Sequence, residues 1–126
     1  MGVSGRPVIV VIDDDPSMRA LVRLHLAGGG CDVLEAGDGF AGRYLVMTAL
    51  PDLVICDVHM PRMTGLELLA DLKSDPLTRD VPVVLLTGDD DVVALAKAVG
   101  AADCLRKPIA AKRLLETTGA FVPRLL

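Results

Sequence analysis

Apolar runs closed by polar clusters alternate five times along the chain with segments of helical period. Val8-Ile9-Val10-Val11-Ile12 is continuously apolar and β-branched, the pattern of a strand covered on both faces, and it ends in Asp13-Asp14-Asp15. Pro16 then opens a predicted helix, capped by Asp15 or Ser17, with Met18, Leu21, Val22 and His25 at helical spacing and Gly28-Gly29-Gly30 as its stop. A second strand over 31–36 turns through Gly37-Asp38-Gly39 into a helix over 40–50, which Pro51 breaks. Leu53–Asp57 is the third strand, and Gly65–Ser74 is a helix with Leu66, Leu69 and Leu72 on one stripe. The pattern predicts a fourth strand over 81–86, a helix over 89–99 with acids in its first turn and Gly100 as its stop, and a fifth strand at Asp103–Arg106. A last helix is predicted over 110–118.

Strict β-α alternation with mostly two-sided strands implies an α/β fold with one five-stranded parallel sheet, helices on both faces and right-handed crossovers. In such doubly wound folds ligands sit beyond the carboxyl ends of the strands. The polar clusters of this chain follow strands one, three, four and five, all at that edge. They are Asp13-Asp14-Asp15, Asp57, Thr87-Gly88 and Lys107-Pro108. One shared site is the geometric expectation.

Composition narrows the reading. A chain of 126 residues suits one domain. With 52% hydrophobic residues it is globular, and with only 2% aromatic its core must be built from aliphatic side chains. The net charge of −4 comes without any cluster of Lys and Arg interleaved with aromatics, so no nucleic-acid grip is expected of this domain. Cys31, Cys56 and Cys104 are odd in number, form no C-x-x-C pair and fall in apolar segments, which reads as buried thiols in a reducing compartment. The N-terminal stretch has too few apolar residues for a signal peptide, and no segment is long enough to span a bilayer. A cytoplasmic protein without membrane contact is expected.

Asp13, Asp14 and Asp57 gathered at one sheet edge need compensation, because like charges a few ångströms apart raise a carboxyl pKa. Lys107 offsets one charge. The remaining excess suits a hard divalent cation with oxygen ligands, Mg²⁺ first and Mn²⁺ as a substitute. In such a site Asp57 would be the nucleophile, forming an acyl phosphate. Lys107 and Thr87 would give the phosphoryl oxygens an ion pair and a hydrogen bond. Each element alone has a plain reading as a cap, a turn residue or a common dipeptide; four of them at strand termini do not.

These motifs carry a resemblance. Val10-Val11-Ile12-Asp13-Asp14-Asp15-Pro16-Ser17-Met18-Arg19, the run from Asp52 through Asp57-Val58-His59-Met60-Pro61-Arg62-Met63-Thr64 to Gly65, Leu86-Thr87-Gly88, and Gly100-Ala101-Ala102-Asp103 leading to Lys107-Pro108 resemble the CheY-like receiver domain of two-component response regulators, from about residue 8 to 118. Residues 119–126 would be a tail or the start of a linker. The resemblance implies a flavodoxin-like strand order 2-1-3-4-5 and a signalling switch that is not a conventional enzyme but assists its own phosphorylation and dephosphorylation. It makes Asp57 the phospho-acceptor, supplied by a histidine kinase or phosphotransfer protein. Asp57, Asp14 and the His59 backbone carbonyl would be direct metal ligands, and Asp13 would act through water. Thr87 becomes the switch hydroxyl, Lys107 the phosphate-pairing amine, and the Lys107–Pro108 bond is expected to be cis. Output, or a homodimer, would use the face of the fourth helix, fifth strand and last helix.

Three positions depart from the family pattern. Cys104 stands where an aromatic is usual, Ile109 where Phe is common, and Gly88 where Ala or Ser is common. The first removes the usual aromatic readout. His59 offers a side chain beside the phosphate, with influence on its lifetime together with Asp89, and His25 reads as structural or solvated. A haloacid-dehalogenase-type phosphatase would need a second Asp where His59 stands. A flavin-binding flavodoxin would need a Ser/Thr-rich loop and aromatics, and a pseudo-receiver would not keep Asp14, Asp57, Thr87 and Lys107 together.

Overall fold

Val10 and Ile12 point to one side of their strand and Ile9 and Val11 to the other, and this alternation builds two cores on one sheet. In the computed structural model, which describes residues 5–122, the elements run β1 (Val8–Ile12), α1 (Pro16–Leu26), β2 (Asp32–Ala36), α2 (Gly39–Ala49), β3 (Leu53–Asp57), α3 (Gly65–Ser74), β4 (Val83–Thr87), α4 (Asp90–Val99), β5 (Asp103–Arg106) and α5 (Ala111–Phe121). All strand pairs are parallel, in the order β2-β1-β3-β4-β5. The expected topology is the one observed.

Val10, Ile12, Val54, Cys56, Leu85 and Cys104 pack with Val46, Leu68, Leu69, Leu72 and Ala96, placing α2, α3 and α4 on one face. Ile9, Val11, Ile55, Val84, Leu86 and Leu105 pack with Val22, Leu26 and Leu114, placing α1 and α5 on the other. Every residue of β1, β3 and β4 is buried, which is why these strands carry no polar alternation. The edge strand β2 is only partly covered and accommodates Asp32 and Glu35.

Helix starts follow their caps. Asp15, not Ser17, caps α1, accepting from the Ser17 N–H, and Asp38 caps α2. Thr64 and Glu67 form a reciprocal capping box that fixes the first turn of α3 immediately after the β3–α3 loop. Gly100, at φ 117°, ends α4 as expected.

Boundaries differ from the sequence pattern at several points. The α3 stripe includes Leu68, with Leu66 only half-buried. Strand β4 begins at Val83, because the Val81 N–H is taken by the Thr78 carbonyl in a turn, and it runs through Thr87. Helix α5 continues past Thr118 to Phe121. Gly119 does not stop it, because Phe121 and the buried Val122 join the core under α1 and α5. Part of the expected tail is therefore docked on the domain; residues 123–126 lie outside the described residues. Among the described residues no helix is long and apolar enough to cross a membrane.

Candidate functional site

The parallel register brings the carboxyl ends of β1, β3, β4 and β5 side by side. Ile12 pairs with Cys56, Asp57 with Leu86 and Thr87 with Arg106, so Asp13, Asp57, Thr87 and Lys107 all emerge at one edge. The loop after Asp57 folds tightly back on itself. Gly65 donates to the Val58 carbonyl, and a Cβ on Gly65 would overlap the Asp57 carbonyl oxygen and come within 2.9 Å of Val58 Cα. Only glycine permits that approach. Arg62 completes the turn with a left-handed backbone, φ 67°.

Asp57 is 3% exposed and Asp13 1%, whereas Asp14 is exposed. Carboxylate oxygens of the three lie within 4.8 Å of one another. Lys107 enters over the loop that follows β5, with a cis Lys107–Pro108 bond, and places Nζ 2.8 Å from Asp57 Oδ1 and 3.7 Å from Asp13 Oδ2. Both contacts are charge pairs without aligned hydrogen bonds, and these two buried oxygens have no directed donor. Asp13 Oδ1, in contrast, accepts from the Asp15 N–H at 2.9 Å. Arg19 holds the same turn from outside, donating to the Asp13 carbonyl at 2.6 Å and to Glu35.

Burial raises the Asp13 carboxyl above its ordinary range; the Asp15 amide and Lys107 oppose this, while the charges of Asp57 and Asp14 add to it. Burial pulls the Lys107 ammonium down, but Asp57 and Asp13 outweigh it, and the net shift is upward. Lys107 is thus held charged. Burial also pushes the thiols of Cys31, Cys56 and Cys104 up, so they are small core hydrophobes rather than nucleophiles.

Two carboxylates beside one ammonium, a third acid at the rim, and two buried oxygens lacking donors form an all-oxygen set with excess negative charge. Its chemistry fits a hard divalent cation. Thr87 is fully buried at the end of β4, and its Oγ1 accepts from the Asp89 N–H at 3.1 Å and lies 3.3 Å from His59 Nε2. The sequence placed the His59 side chain in solvent beside the site. It is exposed, but it also touches the Thr87 hydroxyl, a contact that no periodicity or spacing reveals. His25 is half-buried on α1, away from these residues.

Known proteins share this sequence pattern and fold. Residues 9–118 match the family model described as the response regulator receiver domain. The chain is 34% identical over 120 residues to the DNA-binding dual master transcriptional regulator RpaA of Synechocystis, covering 94% of this chain and 50% of RpaA. It is 32% identical over 117 residues to protein PilG of Pseudomonas aeruginosa, covering 91% of this chain and 87% of PilG. Among solved structures, Vibrio cholerae chemotaxis protein CheY4 superposes with a TM-score of 0.85 at 30% identity, covering 93% of this chain and 99% of that one. A putative response regulator from Chloroflexus aurantiacus gives 0.89 at 29%, covering 94% and 98%. A five-stranded parallel sheet of this order, matched to receiver domains over nearly the whole chain, marks a phosphorylation-dependent signalling domain. The chain belongs to the response regulator receiver domain family, whose members signal through phosphorylation of an aspartate and receive the phosphoryl group from histidine kinases. It spans about half the length of the curated relatives RpaA, PhoB and MtrA.

Proposed function

We propose that the chain acts as a single receiver domain in which Asp57 accepts a phosphoryl group from a histidine kinase or phosphotransfer protein. The observation that carries this is the pairing of buried Asp57 with Lys107 beside Asp13 and Asp14. An Asp57 carboxylate oxygen attacks phosphorus, a P–O bond forms as the donor's P–N bond breaks, and the departing imidazole nitrogen takes a proton from solvent. Asp57, Asp14 and the His59 carbonyl would hold Mg²⁺ or Mn²⁺ directly, with Asp13 acting through water. When bound, the cation neutralises charge on the phosphoryl oxygens. Lys107 then pairs with one phosphoryl oxygen and Thr87 donates to another. The same machinery positions water for slow self-dephosphorylation.

Output runs through the face of α4, β5 and α5, where Leu95 is 52% and Leu115 43% exposed, toward a partner or a second copy of the domain. The domain works in the cytoplasm and leaves nucleic acid to others. The test is incubation with Mg²⁺ and acetyl phosphate or phosphoramidate, read by intact mass. One phosphoryl group should add to the native chain and none to Asp57→Asn; full labelling of the variant would refute the assignment.

A further inference from the structure

The Thr87 hydroxyl is shared between two groups, and their chemistry decides which way its proton points. A hydroxyl has one proton and two lone pairs. The Asp89 N–H occupies one lone pair at 3.1 Å, and Thr87 itself is 0% exposed. Its proton therefore needs a protein acceptor, since a buried donor left unpaired is costly. Among the described residues the acceptor in reach is His59 Nε2, at 3.3 Å. A ring that accepts at Nε2 carries its own proton on Nδ1.

From this we propose that His59 restrains the switch, its Nε2 holding the one proton that Thr87 would donate to a phosphoryl oxygen on Asp57. The inference rests on the receiver reading above. A phosphoryl group on Asp57 must win the Thr87 proton from a residue two positions further along the same loop. The hydroxyl so held also keeps its bond from Asp89, whose carboxylate caps α4 by accepting from the Asp91 N–H at 2.9 Å. His59 thus holds the loop after Asp57, the end of β4 and the first turn of α4 together. It is a positioning residue: it raises the cost of the state in which Thr87 turns to the phosphoryl group, and removing it pre-organises the protein for that state.

The experiment is a titration of the full chain with beryllofluoride and Mg²⁺, followed by amide shifts, for the native protein, His59→Ala and His59→Gln. His59 is exposed, so both variants keep the core intact. His59→Ala should tighten apparent affinity about threefold to tenfold, the equivalent of one net hydrogen bond. His59→Gln, whose side-chain oxygen still accepts, should stay near the native value. Imidazole nitrogen shifts should report the Nδ1–H form in the native chain and should change in Thr87→Val. Unchanged or weaker binding by His59→Ala, or a protonated Nε2, would overturn the restraint while leaving the receiver reading standing. Failure of the native chain to bind, or native-like binding by Asp57→Asn, would overturn both.

Discussion

Lys107 Nζ reaches Asp57 Oδ1 at 2.8 Å and Asp13 Oδ2 at 3.7 Å, so a single ammonium serves two buried carboxylates, one at the end of β3 and one just past β1. A phosphoryl group on Asp57 changes that division, because it adds oxygens and charge on one side only. The backbone of Lys107 is tied to β4 through its N–H to the Thr87 carbonyl at 2.9 Å, so a shift of the ammonium is felt at the switch strand. Lys107→Ala is expected to retain some phosphorylation of Asp57 but to lose the distant response. Amide shifts with and without beryllofluoride check this: changes should remain near Asp57 and vanish over α4 and α5. A native long-range response in the variant would remove Lys107 from the transmission path.

The two acids after β1 should contribute unequally to metal binding. Asp13 is buried, with one oxygen fixed by the Asp15 amide and the other beside Lys107. Asp14 is exposed, and among the described residues no hydrogen bond or ion pair engages its carboxylate. A carboxylate free to bond the cation contributes charge and a direct ligand, while one already held contributes mainly orientation. Titrating Mg²⁺ against amide shifts, Asp14→Ala should lose more affinity than Asp13→Ala, by about tenfold or more. Equal losses would put both acids in the same role.

Asp13 also carries a stability cost that can be measured apart from signalling. Burial, and then its neighbours' charge, raise its carboxyl pKa in the folded chain above the ordinary value of 3.8. A raised carboxyl pKa contributes stability that is fully present below the unfolded pKa and is lost as pH climbs through the folded value, so at neutral pH this carboxyl leaves the fold less stable than in acid. Asp13→Asn keeps an oxygen for the Asp15 amide while removing the charge. In Mg²⁺-free buffer at pH 7 it should stabilise the protein by about 1–2 kcal/mol, seen as a higher urea midpoint. The gain should fade toward pH 3, where Asp13 is neutral in both states, and shrink when Mg²⁺ is added to the native protein.

Much of this was legible because burial on both faces leaves β1, β3 and β4 no room for polar alternation, so each strand ended visibly where a carboxylate or hydroxyl began. The position of Asp13, Asp57, Thr87 and Lys107 at strand ends is enough to bring them to one edge of the sheet. The end of α5 was not legible. The sequence pattern ends the last helix at 118, and only the packing of Phe121 and Val122 with the core under α1 shows why it continues. Nor could spacing show that α2 and α3 are joined by the Arg43–Asp71 pair, or that His59 turns toward Thr87, since both contacts join segments 28 residues apart. The start of α3 at Gly65 is legible in the sequence, and the Thr64–Glu67 capping box, a Ser/Thr-x-x-Glu pattern, supplies its physical reason.

Cys104 bears on how the signal leaves the site. Its thiol is 8% exposed and packs in the core shared with α4, next to Ala96 and Leu85, where the family pattern has an aromatic ring. In the family the ring fills the space vacated when the switch hydroxyl moves; a thiol is too small to do so. Burial raises its pKa, which disfavours the thiolate. The change must then travel through the backbone between Thr87 and α4. Gly88 is exposed and open around its Cβ position, so this segment is held by the contacts of the Thr87 hydroxyl with the Asp89 N–H and His59 rather than by packing at Gly88. Beryllofluoride is therefore expected to shift the amides of residues 88–92 and the α4 face in both the native chain and Cys104→Ser. The substitution puts a hydroxyl into an apolar core and should cost about 1–3 kcal/mol of stability, so folding is checked alongside the response. If Cys104→Ser abolishes the response while fold and phosphorylation survive, the thiol itself is the moving part, and transmission through the Gly88 backbone is wrong.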